Sequence, residues 1–257
     1  MTLADRLRSQ DEAERRAAVA AVVAQGGADA DELAALVECL GHGRKAIERP
    51  AAEAFAVLAG RGVPVRDVLL AALTAPHPRR RWGAAYALSL VGEPPAATLP
   101  VLLDTLGADD GDLRWAAAGV VVRVVDRAAV VDGLGRLLGG SNAPQRKMAL
   151  YCLRDLGVRT PETERAITGA LGDADRDVQL AAMATLARLA LDRGAAAARL
   201  VRVLETADAR LRRAAAAALG ALGERSTPVV AALRTAGASG DDSLRRAAEG
   251  ALRLLEE

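Results

Sequence analysis

The sequence repeats itself. The stretch "DARLRRAAAAALGALG" at 208–223 is echoed by "DDSLRRAAEGALRLLE" at 241–256, "DDGDLRWAAAGVVVRVV" at 109–125 and "DEAERRAAVAAVVAQGG" at 11–27. With the arginine of this template as anchor, the anchors fall at Arg15, Glu48, Arg81, Arg114, Arg146, Gln179, Arg212 and Arg245, spaced 33 residues apart six times and 32 once. A period in this range is the signature of a chain built by stacking one supersecondary unit on the next. A unit this short cannot bury its own apolar face, so stability has to come from contact with its neighbours.

The content of each unit follows from spacing. Four residues before the anchors stand Asp11, Arg44, His77, Asp110, Asn142, Asp175, Asp208 and Asp241. Six of these are Asp or Asn, whose side chains accept from the free N–H groups of a helix's first turn, so the anchor lies in the first turn of a helix. Apolar or small residues then recur at anchor plus 3, 4, 6, 7 and 10, the stripe of a helix buried along one side. A second set of helical segments, such as "ADELAALVECL", "TLPVLLDTL" and "PVVAALRTA", lies between these helices, with Gly, Pro and polar residues at the joints. Alanine and leucine dominate a chain that is 51% hydrophobic and only 2% aromatic, which favours helix over strand. The expectation is an all-α chain of eight helix pairs, a single domain over residues 1–257.

"LRRAAAAALGALG" at 211–223 resembles the HEAT-repeat family nearly residue for residue, in particular its bacterial short-repeat branch, which is related to the lyase-type repeats. "RRWGAAYALSLVG" and "QRKMALYCLRDLG" match with changes, and the resemblance covers essentially the whole chain. It implies a right-handed α-solenoid whose second helices line a concave face. Glu48 and Gln179 depart from the motif, which leaves open any pairing of the anchor arginine with a neighbouring Asp in repeats 2 and 6.

On that frame, positions plus 1, plus 5 and plus 8 or 9 point away from the core. The plus 1 column contains Trp82 and Trp115 and the plus 5 column Tyr86 and Tyr151, so four of the five aromatics are expected on the groove surface of repeats 3 to 5. Arg49, Lys147, Arg123 and Arg154 are expected around them, with Glu53 and Asp155 as acidic exceptions. Clustered exposed aromatics are typical of binding hot spots. The expected function is therefore non-catalytic binding of a protein or peptide in the groove. Two alternatives use the same residues: a nucleic acid with its bases stacked on the aromatics, and a planar anionic small molecule held as in an enzyme or chaperone of the lyase type.

Chemistry has little to work with. No glycine-rich phosphate loop, paired-cysteine motif or H-E-x-x-H is present. The His-Glu pairs of iron-dependent HEAT-repeat hydroxylases do not occur, and the aspartate expected from the HEAT-like alkylpurine glycosylases is missing one turn after Trp82 and Trp115, where Tyr86 and Gly119 stand. No catalytic residue, cofactor or metal is expected. Cys39 and Cys152 read as reduced structural thiols, and His77 as a helix cap. The longest apolar runs are broken by arginine well short of the roughly 20 residues a membrane span needs. "MTLADRLRSQDEAERR" carries no signal or transit pattern, so a cytoplasmic location is expected. Solenoid ends need polar caps. Arg253, Glu256 and Glu257 can serve, and an end-to-end contact between copies stays open.

Overall fold

A computed structural model describes residues 1–256; Glu257 lies outside the described residues. Sixteen α-helices fall into eight pairs, in agreement with the repeat, and no strand occurs among the described residues. The first four pairs are α1 (Leu3–Leu7) with α2 (Glu12–Gln25), α3 (Ala30–Cys39) with α4 (Lys45–Gly60), α5 (Arg66–Ala72) with α6 (Pro78–Val91), and α7 (Leu99–Thr105) with α8 (Gly111–Val121). The last four are α9 (Arg127–Leu138) with α10 (Ala143–Leu156), α11 (Pro161–Gly169) with α12 (Arg176–Leu189), α13 (Arg193–Thr206) with α14 (Ala209–Leu222), and α15 (Thr227–Gly237) with α16 (Asp242–Glu256).

The chain forms two compact units, Met1–Val130 and Val131–Glu257. In the first, α1, α3 and α5 pack in succession as one layer, and α2, α4 and α6 as the other. In the second, α10, α12, α14 and α16 pack in succession, with α13 on α15 behind them. Each unit is thus a two-layered stretch of α-solenoid.

The second helices start where the caps expected. Asp11, Asp110, Asn142, Asp175, Asp208 and Asp241 each accept from backbone N–H groups in the first turn. His77 holds the capping position of α6 but its side chain makes no cap bond, and Pro78 opens that helix in its place.

One core column is more uniform than the rest. The residue three after the anchor is Ala18, Ala51, Ala84, Ala117, Ala149, Ala182, Ala215 or Ala248, alanine in all eight repeats, and each is fully buried. A methyl group lets helices approach closely while still removing apolar surface from water. Two glycines mark still closer approaches. A Cβ at Gly83 would lie 2.5 Å from the Leu40 carbonyl oxygen, and one at Gly220 would lie 2.8 Å from the Ala251 Cα.

The anchor residue clamps the joint within its own pair. Arg15, Arg81, Arg114 and Arg146 donate to the carbonyl oxygens of Ser9, Ala75, Ala108 and Gly140 at 2.9, 3.0, 2.6 and 2.9 Å, each acceptor six residues upstream. Arg212 reaches Leu204 instead, at 2.9 Å. The arginine's general partner is therefore the backbone of the preceding loop, and pairing with Asp is the exception seen at Arg146 and Arg245. Gln179 keeps the same register, its amide donating to the Asp173 carbonyl at 2.6 Å. Glu48 reverses the polarity: its carboxylate accepts from the Gly43 N–H at 2.7 Å and faces Arg79 at 3.5 Å.

Candidate functional site

In the first unit α4, α6 and α8 present the expected outward columns, with two corrections. Trp82 is buried, only 9% exposed, rather than standing in the open. Packing explains it. α6 lies along α4 for much of its length, and the indole sits where residues of α4, α7 and α8 line the same depressions. Its ring stacks on Tyr86 with centroids 5.6 Å apart and planes at 25°. Trp82 and Leu113 line two depressions at once, one of about 300 Å³ reached between α4, α6 and α8, the other of about 320 Å³ beside α7. Tyr86 is half-buried and lines the first of these, while Trp115 on α8 stands 55% exposed.

The charges around the first depression are already matched. Arg49 pairs with Glu53 one turn later at 3.1 Å. Lys45 of α4 reaches across the N-terminal end of α6 to Asp112 of α8, with Nζ 2.6 Å from Oδ2. That hydrogen bond raises the lysine pKa and lowers the carboxyl's. Lys45 and Asp112 were missed by sequence reasoning because they sit outside the outward columns and skip a whole repeat, so no spacing joins them.

Arg123 is a second correction. Three consecutive valines, Val120 to Val122, end α8 early; β-branched side chains lose rotamer freedom in a helix. Arg123 therefore lies in the following turn, and its Nη2 donates to the Ser89 carbonyl at 2.9 Å. It holds the last turn of α6 instead of projecting from a helix face.

The remaining four candidates belong to the second unit. Tyr151 is half-buried, packed against the hydrophobic core of that unit, with the Arg154 guanidinium 4.9 Å from its ring centroid. Arg154 also pairs with Asp155 at 2.9 Å. Lys147 reaches Asp177 in the next repeat at 3.2 Å, and Arg210 in the repeat after reaches the same carboxylate at 2.9 Å. The Lys147 hydrogen bond is the main reason the Asp177 pKa is lowered.

The thiols are inert by position. Cys39 and Cys152 are buried and unpaired in disulfides, and burial pushes their pKa values up to about 11 and about 12. Among the described residues no group of three or more His, Cys, Asp or Glu side chains is arranged to hold a metal ion. No helix is long and apolar enough to cross a membrane.

Stacked helix pairs, a clamped joint in most of them and an outward row of variable side chains define a helical-repeat protein. Known HEAT repeats match residues 50–122 and 163–253, well over half of the sequence, and the chain belongs to the HEAT-repeat family. No curated protein matches it. The crystal structure of Escherichia coli YibA is similar in fold, at 16% identity and a TM-score of 0.59, over 99% of this chain and 91% of that one. Human deoxyhypusine hydroxylase, solved in complex with glycerol, aligns at 18% identity with a TM-score of 0.41, over 99% of this chain and 94% of the hydroxylase.

Proposed function

We propose that this protein is a non-catalytic binding protein that holds a protein or peptide segment on its second-helix face. The observation that carries the reading is the depression between α4, α6 and α8, with the stacked Trp82–Tyr86 pair in its lining and matched charges around it. A preformed concavity of this size with an aromatic lining suits a large apolar side chain of a partner, because burying such a group in it removes two apolar surfaces from water. Exposed Trp115 on the α8 wall adds apolar area beside it.

The charge arrangement supports a peptide over a nucleic acid at this place. Lys45 and Arg49, the cations that line the depression, each face a carboxylate within 3.1 Å. Phosphate binding draws its affinity from cations free to displace counterions, and paired cations contribute less.

A peptide-library screen followed by titration of the selected peptides tests the reading. The Tyr86→Ala, Trp115→Ala double variant is expected to lose about tenfold or more in affinity, a loss of 1.4 kcal/mol or more, while keeping its helical circular dichroism. Equal affinity of wild type and variant for every selected peptide would overturn it.

A further inference from the structure

The outward columns of the second unit differ in chemistry from those of the first. In repeats 6 to 8 the plus 5 column is Ala184, Ala217 and Gly250, a floor without bulk. Arginines stand on either side of it: Arg213 and Arg246 from the plus 1 column, Arg188 and Arg253 from plus 9 and plus 8.

These four arginines differ from the other cations of that face in having no acidic partner among the described residues. Lys147 and Arg210 share Asp177, and Arg154 has Asp155. Among the described residues no carboxylate lies within 4.0 Å of Arg188, Arg213, Arg246 or Arg253, and Arg246 only donates to the Asp242 carbonyl of its own helix, at 3.2 Å. The acid near Arg213 is Asp241, which is engaged with the N–H groups of Ser243 and Leu244 as the cap of α16. Glu249 lies on α16 between Arg246 and Arg253 and pairs with neither, so the face keeps a clear excess of positive charge.

We infer that the α12–α14–α16 face of the second unit is a docking surface for an acidic peptide segment, an extended run rich in Asp and Glu. Charge complementarity selects the sign of the partner, and guanidinium forks bind carboxylates bidentately. The small floor lets an extended backbone lie close to the helices, with its side chains reaching the arginines on both sides. A single-stranded nucleic acid fits less well, because Leu180, Ala184, Ala217 and Gly250 offer no ring for a base to stack on.

This inference rests on the binding reading only in taking the second-helix face as the contact surface. It concerns residues distinct from those of the α4–α6–α8 depression. Fluorescence anisotropy with a labelled oligoglutamate peptide tests it at physiological ionic strength, against a Gly/Ser peptide of equal length, an oligothymidine strand and a short DNA duplex.

The expected result is that oligoglutamate binds in clear preference to all three. Its dissociation constant should rise about tenfold or more in Arg213→Ala, Arg246→Ala protein, in line with the loss of two charge-assisted contacts. Arg188→Ala, Arg253→Ala protein should weaken in the same direction. Binding should persist in the Arg202→Ala, Arg234→Ala protein, whose changes lie on the first helices α13 and α15, and in the Tyr86→Ala, Trp115→Ala protein. That last variant separates failure here from failure of the depression. Thermal melting followed by circular dichroism confirms that each variant is folded. Oligoglutamate binding no tighter than the Gly/Ser peptide, or unchanged in both arginine variants, overturns the inference. So does tighter binding of either DNA with loss in the same variants, which would make the occupant a nucleic acid.

Discussion

Arg146 and Asp173 meet edge to edge, with Nε 2.7 Å from Oδ2 and Nη2 2.8 Å from Oδ1. The third nitrogen of the guanidinium donates to the Gly140 carbonyl, and Asp173 in turn accepts from the Asp175 N–H at 2.8 Å. One arginine thus ties the joint of repeat 5 to the joint of repeat 6, with only 12% and 11% of the two side chains exposed.

Stability should therefore depend on acid pH through this pair. Hydrogen bonding to Arg146 is the main cause that holds the Asp173 carboxyl below its ordinary range. A depressed folded pKa gives stabilisation that is present above the unfolded value near 4 and lost as pH falls through the folded one. Urea unfolding is expected to show Asp173→Asn less stable by about 2 kcal/mol at neutral pH. The gap from wild type should close below pH about 4.

The anchor clamp predicts a substitution rule. Gln179 shows that a neutral amide donor can serve, so Arg81→Gln should cost less than Arg81→Met, which leaves the Ala75 and Pro76 carbonyls without their side-chain donor. The difference expected in chemical denaturation is about 1 kcal/mol. Equal losses would show that the aliphatic stem, and not the donor, matters.

The alanine column sets a limit on volume. Ala84→Leu or Ala215→Leu inserts methylenes at a site with no exposed area, and should destabilise by about 1–3 kcal/mol. Ala217→Leu, on the exposed plus 5 column of α14, should change the melting temperature little. Melting curves of the three variants make the comparison.

The two tryptophans should separate in fluorescence and in stability. Buried Trp82 is expected to emit at shorter wavelength and resist acrylamide, whereas Trp115 should be readily quenched. Trp82→Ala should cost about 3–5 kcal/mol, the range for deleting a large buried aromatic. Trp115→Ala should cost less than about 1 kcal/mol.

Thiol chemistry offers an independent check on the core. With pKa values of about 11 and about 12, Cys39 and Cys152 should react negligibly with a disulfide reagent at pH about 8 in the native protein. Both should react promptly once denaturant is added. Rapid labelling of the folded chain would show that these helices open more readily than their burial implies.

The sequence by itself determined the helix pairs, their number and the faces they bury. Each of these depends on residues within one repeat: Asp11 and Asp208 cap the helix they begin, Arg81 reaches a carbonyl six residues back, and Ala18 through Ala248 recur at one spacing. Tertiary structure alone decided what lies between repeats. Trp82 is buried although its column faces outward in the repeat, Lys45 finds Asp112 two repeats further on, and Asp177 serves two cations because α10, α12 and α14 pack in succession. The tilt and spacing between successive repeats come from the packing of whole layers, a sum over many side chains that no local motif encodes. The position of a column residue could therefore be read from its number in the repeat, but its exposure and its partner could not.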